Sequence, residues 1–188
     1  FTVSHSRSGT NADRRSRRRQ AGRLPRPSPD FRLPLHNATN TKAIQYLTEE
    51  RKIDRGIVDT FVAAGDIYED TRHNVVFVGR DKGKQDASGI PKYAHCRGTS
   101  DNFRQDVSGS IKPVISAIRG TATSSLSLKP PLIYYRFICL YPKDWTKRSY
   151  LSLGGVAGKA LTHFLSERPD IRRIFLCLDN DNAGNEGC

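Results

Sequence analysis

The sequence predicts an α/β fold: a Rossmann-like βαβ unit with a parallel sheet, preceded by a small α+β domain built from a helix pair and a β-meander. Three observations predict it. Ile174–Leu178 (IFLCL) is a short continuous apolar run, the pattern of a strand buried on both faces. Ahead of it, Val156, Ala160, Leu161, Phe164 and Leu165 recur at helical spacing, and Pro169 closes the segment. Upstream, two helical patterns are followed by short β-type runs separated by polar turns.

Each element has a local cause. Asn40 or Thr41 caps a helix through Ala43, Ile44 and Leu47 to about Arg51. Asp54 caps a second, which lines up Ile57, Val58, Phe61 and Val62 and ends by Gly65. Strands follow at Asp66–Glu69 and Asn74–Gly79 around the polar turn Asp70–His73. Residues 81–89 form a polar loop, and Pro91–Arg97 a further strand. Tyr150–Leu153 is a short strand ending in Gly154 and Gly155; the helix and the IFLCL strand complete the βαβ unit.

Composition sets the outer bounds. The 188 residues carry 31 Lys+Arg against 19 Asp+Glu, a net charge of +12. Eight arginines against Asp13 and Asp30 put half of that charge in residues 1–30, an Arg/Ser/Pro-rich stretch without periodicity that reads as a disordered basic linker. Residues 111–137 hold Lys112, Arg119, Lys129 and Arg136 and no acid at all. No run approaches the length of a membrane span, and no secretory signal is expected. Methionine is absent, and the chain is expected to be an internal fragment of a longer protein. The cysteines Cys96, Cys139, Cys177 and Cys188 show no CxxC pairing and no histidine at metal-ligand spacing. No zinc site is therefore expected, and a reduced, cytoplasmic setting is. The domain organisation expected is 1–30 linker, 31–110 small α+β domain, and 111–188 an incomplete α/β domain.

Beyond the last strand the sequence reads Asp179-Asn180-Asp181-Asn182-Ala183-Gly184. Ligands of parallel sheets sit beyond the carboxyl ends of the strands. Two carboxylates at i and i+2 there share one side of the extended chain, a hard-oxygen pair suited to Mg²⁺. A polar turn that caps the next helix is the competing reading.

These residues resemble a family. "LSLGG…IRRIFLCLDNDNAGNEGC" is similar to the second half of a Toprim domain, shared by DnaG-type bacterial primases, type IA and II topoisomerases and certain nucleases. The upstream "AIQYLTEERKIDRGIVDTFVAAGDIYEDTRHNVVFVGRDKGKQDASGIPKYAHCRG" resembles the uncharacterised domain that precedes Toprim in primase-like proteins of conjugative and other mobile elements. The resemblance implies Mg²⁺ at Asp179 and Asp181, motif glycines at Gly154, Gly155 and Gly184, and Mg-dependent phosphoryl or nucleotidyl transfer. It also implies single-stranded DNA and nucleotides as partners, a helicase or relaxase as an accessory partner, and no membrane. By analogy Arg80, Lys92 and Arg97 face template phosphates.

One feature departs from the family, whose first strand ends in a Glu that handles the proton of the 3′-oxygen, followed four residues later by an Asp. Residues 111–137 contain neither. Read one base earlier, the same segment permits a Glu codon straddling Leu128 and Lys129 and an Asp codon straddling Leu132 and Ile133. The segment is therefore expected to be out of frame, with residues 1–30 open to the same explanation, and 111–137 to be poorly packed or irregular. As it stands, the chain is expected to be a defective, primase-like DNA-processing protein. The alternatives are a non-catalytic nucleic-acid-binding module and a Toprim nuclease or topoisomerase-type strand-cleaving enzyme.

Overall fold

Asn40 and Glu69 exchange roles at the start of the first helix. Asn40 occupies the N-cap position, but its side-chain oxygen accepts the backbone N–H of Glu69 at 2.8 Å. The Glu69 carboxylate supplies the missing cap by accepting the N–H of Ala43 at 3.0 Å. Helix α1 (Thr41–Gln45) is thereby tied to the first strand before it continues as a π-helical turn over Tyr46–Glu50. This is a computed structural model, and it describes residues 30–81, 89–111, 117–118, 120–121, 124–128, 131–153 and 159–177, with backbone alone at 117, 124–128, 131 and 159. The linker expected over 1–30 lies outside the described residues except for Asp30.

Helix α2 (Arg55–Ala63) is capped as its sequence predicts, with Asp54 accepting the N–H of Ile57 at 3.1 Å. It buries Ile57, Val58 and Phe61 and closes at Gly65, whose φ of +70° favours glycine. An antiparallel sheet follows in the order β1 (Ile67–Glu69), β2 (Val75–Asp81), β3 (Ile90–Arg97) and β4 (Arg104–Asp106). The β1–β2 turn is organised by Asp70, whose Oδ1 accepts the N–H groups of Arg72 and Asn74 at 2.9 and 2.8 Å. Asp81, expected to open the polar loop, is the last residue of β2. The loop beyond it, 82–88, lies outside the described residues.

The second sheet has the order β5 (Ala117–Ile118), β7 (Ser149–Ser152), β6 (Ser124–Leu128) and β8 (Arg173–Cys177). β6 runs parallel to both neighbours, with Leu126 opposite Tyr150 on one side and Phe175 on the other. β5 pairs antiparallel with β7. Helix α4 (Lys159–Glu167) leads to β8, and its Phe164 is buried with Leu151 and Leu153. The fold is thus mixed α/β, as predicted.

Two expectations fail. Residues 111–137 are not irregular throughout, since Ser124–Leu128 form the central parallel strand and Pro131–Leu140 form helix α3. Proline cannot serve a central ladder, but it suits the first position of a helix, where its missing N–H costs nothing. Tyr134, Tyr135 and Ile138 of α3 are at most 1% exposed and share one core with Leu47, Phe61, Phe77 and Tyr150. That core joins the two sheets. The IFLCL strand is also not buried on both faces. Among the described residues β8 pairs only with β6, and as an edge strand it leaves Ile174, Phe175 and Leu176 at 40%, 51% and 37% exposure.

Candidate nucleic-acid interface

Tyr46 opens the π-helical turn and sits at the floor of a polar cleft. Its ring is buried, and its hydroxyl accepts the Nε–H of Arg97 at 3.2 Å. Arg97 is the last residue of β3. From the end of the π turn, the Arg51 guanidinium carbon lies 5.9 Å from the Tyr46 ring centroid, within cation–π range. Two arginines therefore flank one tyrosine. Nε of Arg51 is buried and finds no hydrogen-bond partner among the described residues.

The cleft, about 370 Å³ in all, is also lined by the loop Thr99–Asn102. That loop is shaped by Asp101, which accepts the N–H of Phe103 at 2.9 Å, and by Gly98, whose N–H bonds the Phe103 carbonyl at 2.9 Å. A Cβ on Gly98 would fall 1.8 Å from the Asp101 carboxylate. A second cleft of about 320 Å³ continues past Thr99 and Ser100 to Lys42, Arg72 and His73. Thr99 ties the two together by donating its hydroxyl to the His73 carbonyl at 2.9 Å. Arg51, Arg97, Lys42 and Arg72 stand against Glu49, Glu50 and Asp101 along this groove, so the local arrangement of donors matters more than net charge.

His73 is held by the buried Glu69, whose Oε1 lies 2.5 Å from Nδ1 and also accepts Nδ2–H of Asn37 at 2.8 Å. Burial alone would raise the Glu69 pKa. The bonds from His73, the Ala43 N–H and Asn37 outweigh it and hold the carboxyl below its ordinary range. Cys96, next to Arg97 on β3, packs instead with Tyr68, Val76 and Ala94, and burial pushes its thiol up to about 11.

The sequence-predicted phosphate contacts separate. Only Arg97 reaches the groove. Arg80 is turned inward: Nε bonds Asp66 at 3.0 Å, and its other nitrogens donate to the carbonyls of Gly65 and Gly89 at 2.9 and 3.3 Å. Lys92 is paired with Asp81. Both are half-buried ties within the fold. The groove residues that sequence reasoning missed, Tyr46, Arg51, Lys42, Arg72 and His73, come from two separate segments, the helical stretch 41–51 and the β1–β2 turn. The polar run Gly98-Thr99-Ser100-Asp101-Asn102 was the available signal.

The expected metal site lies at the other sheet. β6, β7 and β8 end together at Leu128, Ser152 and Cys177, which are in register at one edge. Asp179 and Asp181 follow β8 in sequence, but they lie outside the described residues, as do Gly154, Gly155, Gly184 and Lys129. The last described residue of β6 is Leu128, which carries no acid.

Residues 45–122 match the family described as Protein of unknown function (DUF3991). The matched span takes in Tyr46, Arg51, Arg97 and the 99–102 loop, and ends within the segment that begins at residue 111. No curated protein matched. Among solved structures, the crystal structure of the primase fragment of the bacteriophage T7 primase–helicase protein is similar to this chain, with a TM-score of 0.52 and 15% identity. The match covers 95% of this chain and 70% of that one. The fold is primase-like.

Proposed function

We propose that this chain is the nucleic-acid-engaging part of a primase-like DNA-processing protein, and that the Tyr46–Arg51–Arg97 groove holds the backbone of single-stranded DNA. The observation that carries this is the convergence of Arg51, over the Tyr46 ring, and Arg97, on the Tyr46 hydroxyl, in the lining of one polar cleft. Guanidinium groups present donors that match phosphate oxygens, and the tyrosine orders them. The hydroxyls of Thr99 and Ser100 and the amide of Asn102 add neutral partners along the same wall.

Mg²⁺ at Asp179 and Asp181 belongs to the same proposal. It is supported by two carboxylates placed by sequence just beyond β8 and by the shared edge of the three parallel strands. A hard-oxygen pair of this kind suits a cation that keeps much of its water. When bound, the ion would neutralise charge on a transferred phosphoryl group. Leu128 and Lys129 stand where the resemblance calls for the Glu that manages the 3′-oxygen proton, and on this reading the chain as it stands binds DNA without efficient turnover.

The test is fluorescence anisotropy with labelled single-stranded DNA across a salt series. Arg51→Gln/Arg97→Gln should weaken binding about tenfold or more and flatten the salt dependence by roughly 0.7 for each phosphate no longer neutralised. The arginines of residues 1–30 are present in parent and variant alike, so their contribution cancels. Equal affinities and equal slopes would place the DNA elsewhere.

A second reading has one observation in its favour: β6 ends at Leu128, beside the position the resemblance gives to Glu. Resequencing the source DNA across codons 105–140 decides it. A single-base slip restoring Glu there would make the intact protein a Mg-dependent nucleotidyl transferase.

A further inference from the structure

Strand β2 ends at Asp81, and helix α4 passes beside it. The contact is fixed by Tyr93 of β3, buried against Ala160 of α4. His163 and Glu167 follow on the same helix, one turn apart and on a shared face. The three meet: a carboxylate oxygen of Asp81, a ring nitrogen of His163 and a carboxylate oxygen of Glu167 all lie within 4.8 Å of one another. Their side chains are 20%, 15% and 23% exposed, half out of water but reachable by a small ion.

We propose that Asp81, His163 and Glu167 bind a Zn²⁺ ion that cross-links the antiparallel sheet to the helix covering the parallel one. Zinc ligands sit about 2.0–2.1 Å from the ion, so neighbouring ligands of a tetrahedral site are about 3.4 Å apart. His163 Nε2 and Glu167 Oε2 are already 3.6 Å apart. An imidazole beside two carboxylates suits zinc better than magnesium, whose sites are built from oxygen. Three protein ligands leave the fourth position to water. Two ligands one turn apart on a helix make a pre-aligned pair that needs only one further donor from elsewhere, here Asp81.

Lys92 bears on the same carboxylate, since its ammonium bonds Asp81 Oδ2. A carboxylate has two oxygens, so the ammonium and a metal can share it. The ammonium also repels the ion, so it limits the affinity without abolishing the site. Linear spacing shows the His163–Glu167 pair but gives no sign of Asp81, which meets it only across the fold. The site is distinct in sequence from Asp179 and Asp181.

The test is zinc titration of the full chain by calorimetry and thermal shift, with Co²⁺ as an optical reporter. One equivalent should bind and raise the melting temperature. His163→Gln and Glu167→Gln should each weaken binding at least tenfold while melting like the parent without metal. Lys92→Met should tighten it several-fold. Bound Co²⁺ should show no thiolate charge-transfer absorption. If His163→Gln fails to fold, Glu167→Gln carries the comparison. The absence of stoichiometric binding, unchanged binding in the foldable variants, or a strong thiolate band assigning the ion to cysteines would each overturn the proposal.

Discussion

His73 Nδ1 and Glu69 Oε1 lie 2.5 Å apart across the β1–β2 turn, and the same carboxylate caps helix α1 through Ala43. His73 adopts a left-handed backbone, φ +63°, which the turn imposes and the carboxylate contact helps to hold. One buried acid therefore positions both the histidine and the helix that carries Tyr46 into the groove.

Glu69 should make the chain acid-sensitive. Its carboxyl titrates below the ordinary value of about 4.5 in the folded state, so its stabilisation is present above that value and is lost as pH falls through the lower, folded-state pKa. Glu69→Gln should cost about 1–3 kcal/mol at pH 7 and flatten the acid limb of a urea-midpoint profile. An unchanged acid limb would show that other carboxylates govern it.

Arg80 and Arg97 should behave oppositely. Arg80→Ala removes the partner of Asp66 and two bonds to carbonyls, and should destabilise by about 1–3 kcal/mol with DNA affinity unchanged. Arg97→Ala should weaken DNA binding at little cost in stability. Urea denaturation beside anisotropy separates the two.

Tyr134→Ala should cost on the order of 3 kcal/mol, comparable to truncating a buried phenylalanine, since the ring is fully buried and packs 4.2 Å from that of Tyr135. A variant as stable as the parent would mean that α3 does not dock as described, and the expectation of a poorly packed segment would return.

Gly120→Ala should be as damaging by another route. A Cβ there would lie 2.1 Å from the carbonyl oxygen of Lys147 and 2.4 Å from that of Arg148, both backbone atoms that cannot rotate away. Gly120 also exchanges bonds with the Ser149 hydroxyl and accepts from Arg168 at 3.0 Å. Loss of soluble expression, or a fall in melting temperature of several degrees, is the expected result.

Millimolar Mg²⁺ should raise the melting temperature of the parent, and Asp179→Ala/Asp181→Ala should abolish the rise. No shift in the parent would leave the two aspartates as a polar turn.

Much of the fold was legible where local chemistry acts alone. Asp54 announces α2, the spacing of Ile57, Val58 and Phe61 fixes its buried face, and the turn at Asp70 follows from its own side chain. The capping of α1 was half legible: Asn40 stands at the right place, but the hydrogen bond comes from Glu69, which no local rule connects to it. β6 was illegible because Ser-Ser-Leu-Ser-Leu lacks the continuous apolar character of a central parallel strand. IFLCL has that character, and its described residues lie at the edge of the described sheet instead. Of the groove, only Arg97 could be named in advance, since its companions converge from separate helical, turn and loop segments.

The position of β6 has a consequence for how the second half of the chain assembles. Among the described residues β7 and β8 have no ladder with each other; β6, which precedes both in sequence, lies between them, and β7 carries the short strand β5 on its other side. The helix between β7 and β8 cannot close them into a local unit, so the parallel sheet must wait for an earlier strand to arrive between them. Assembly of the parallel part is a non-local event, and a ribosome-bound chain with residues 124–128 sterically withheld would keep the short β5–β7 ladder while β8 lost the ladder it makes with β6.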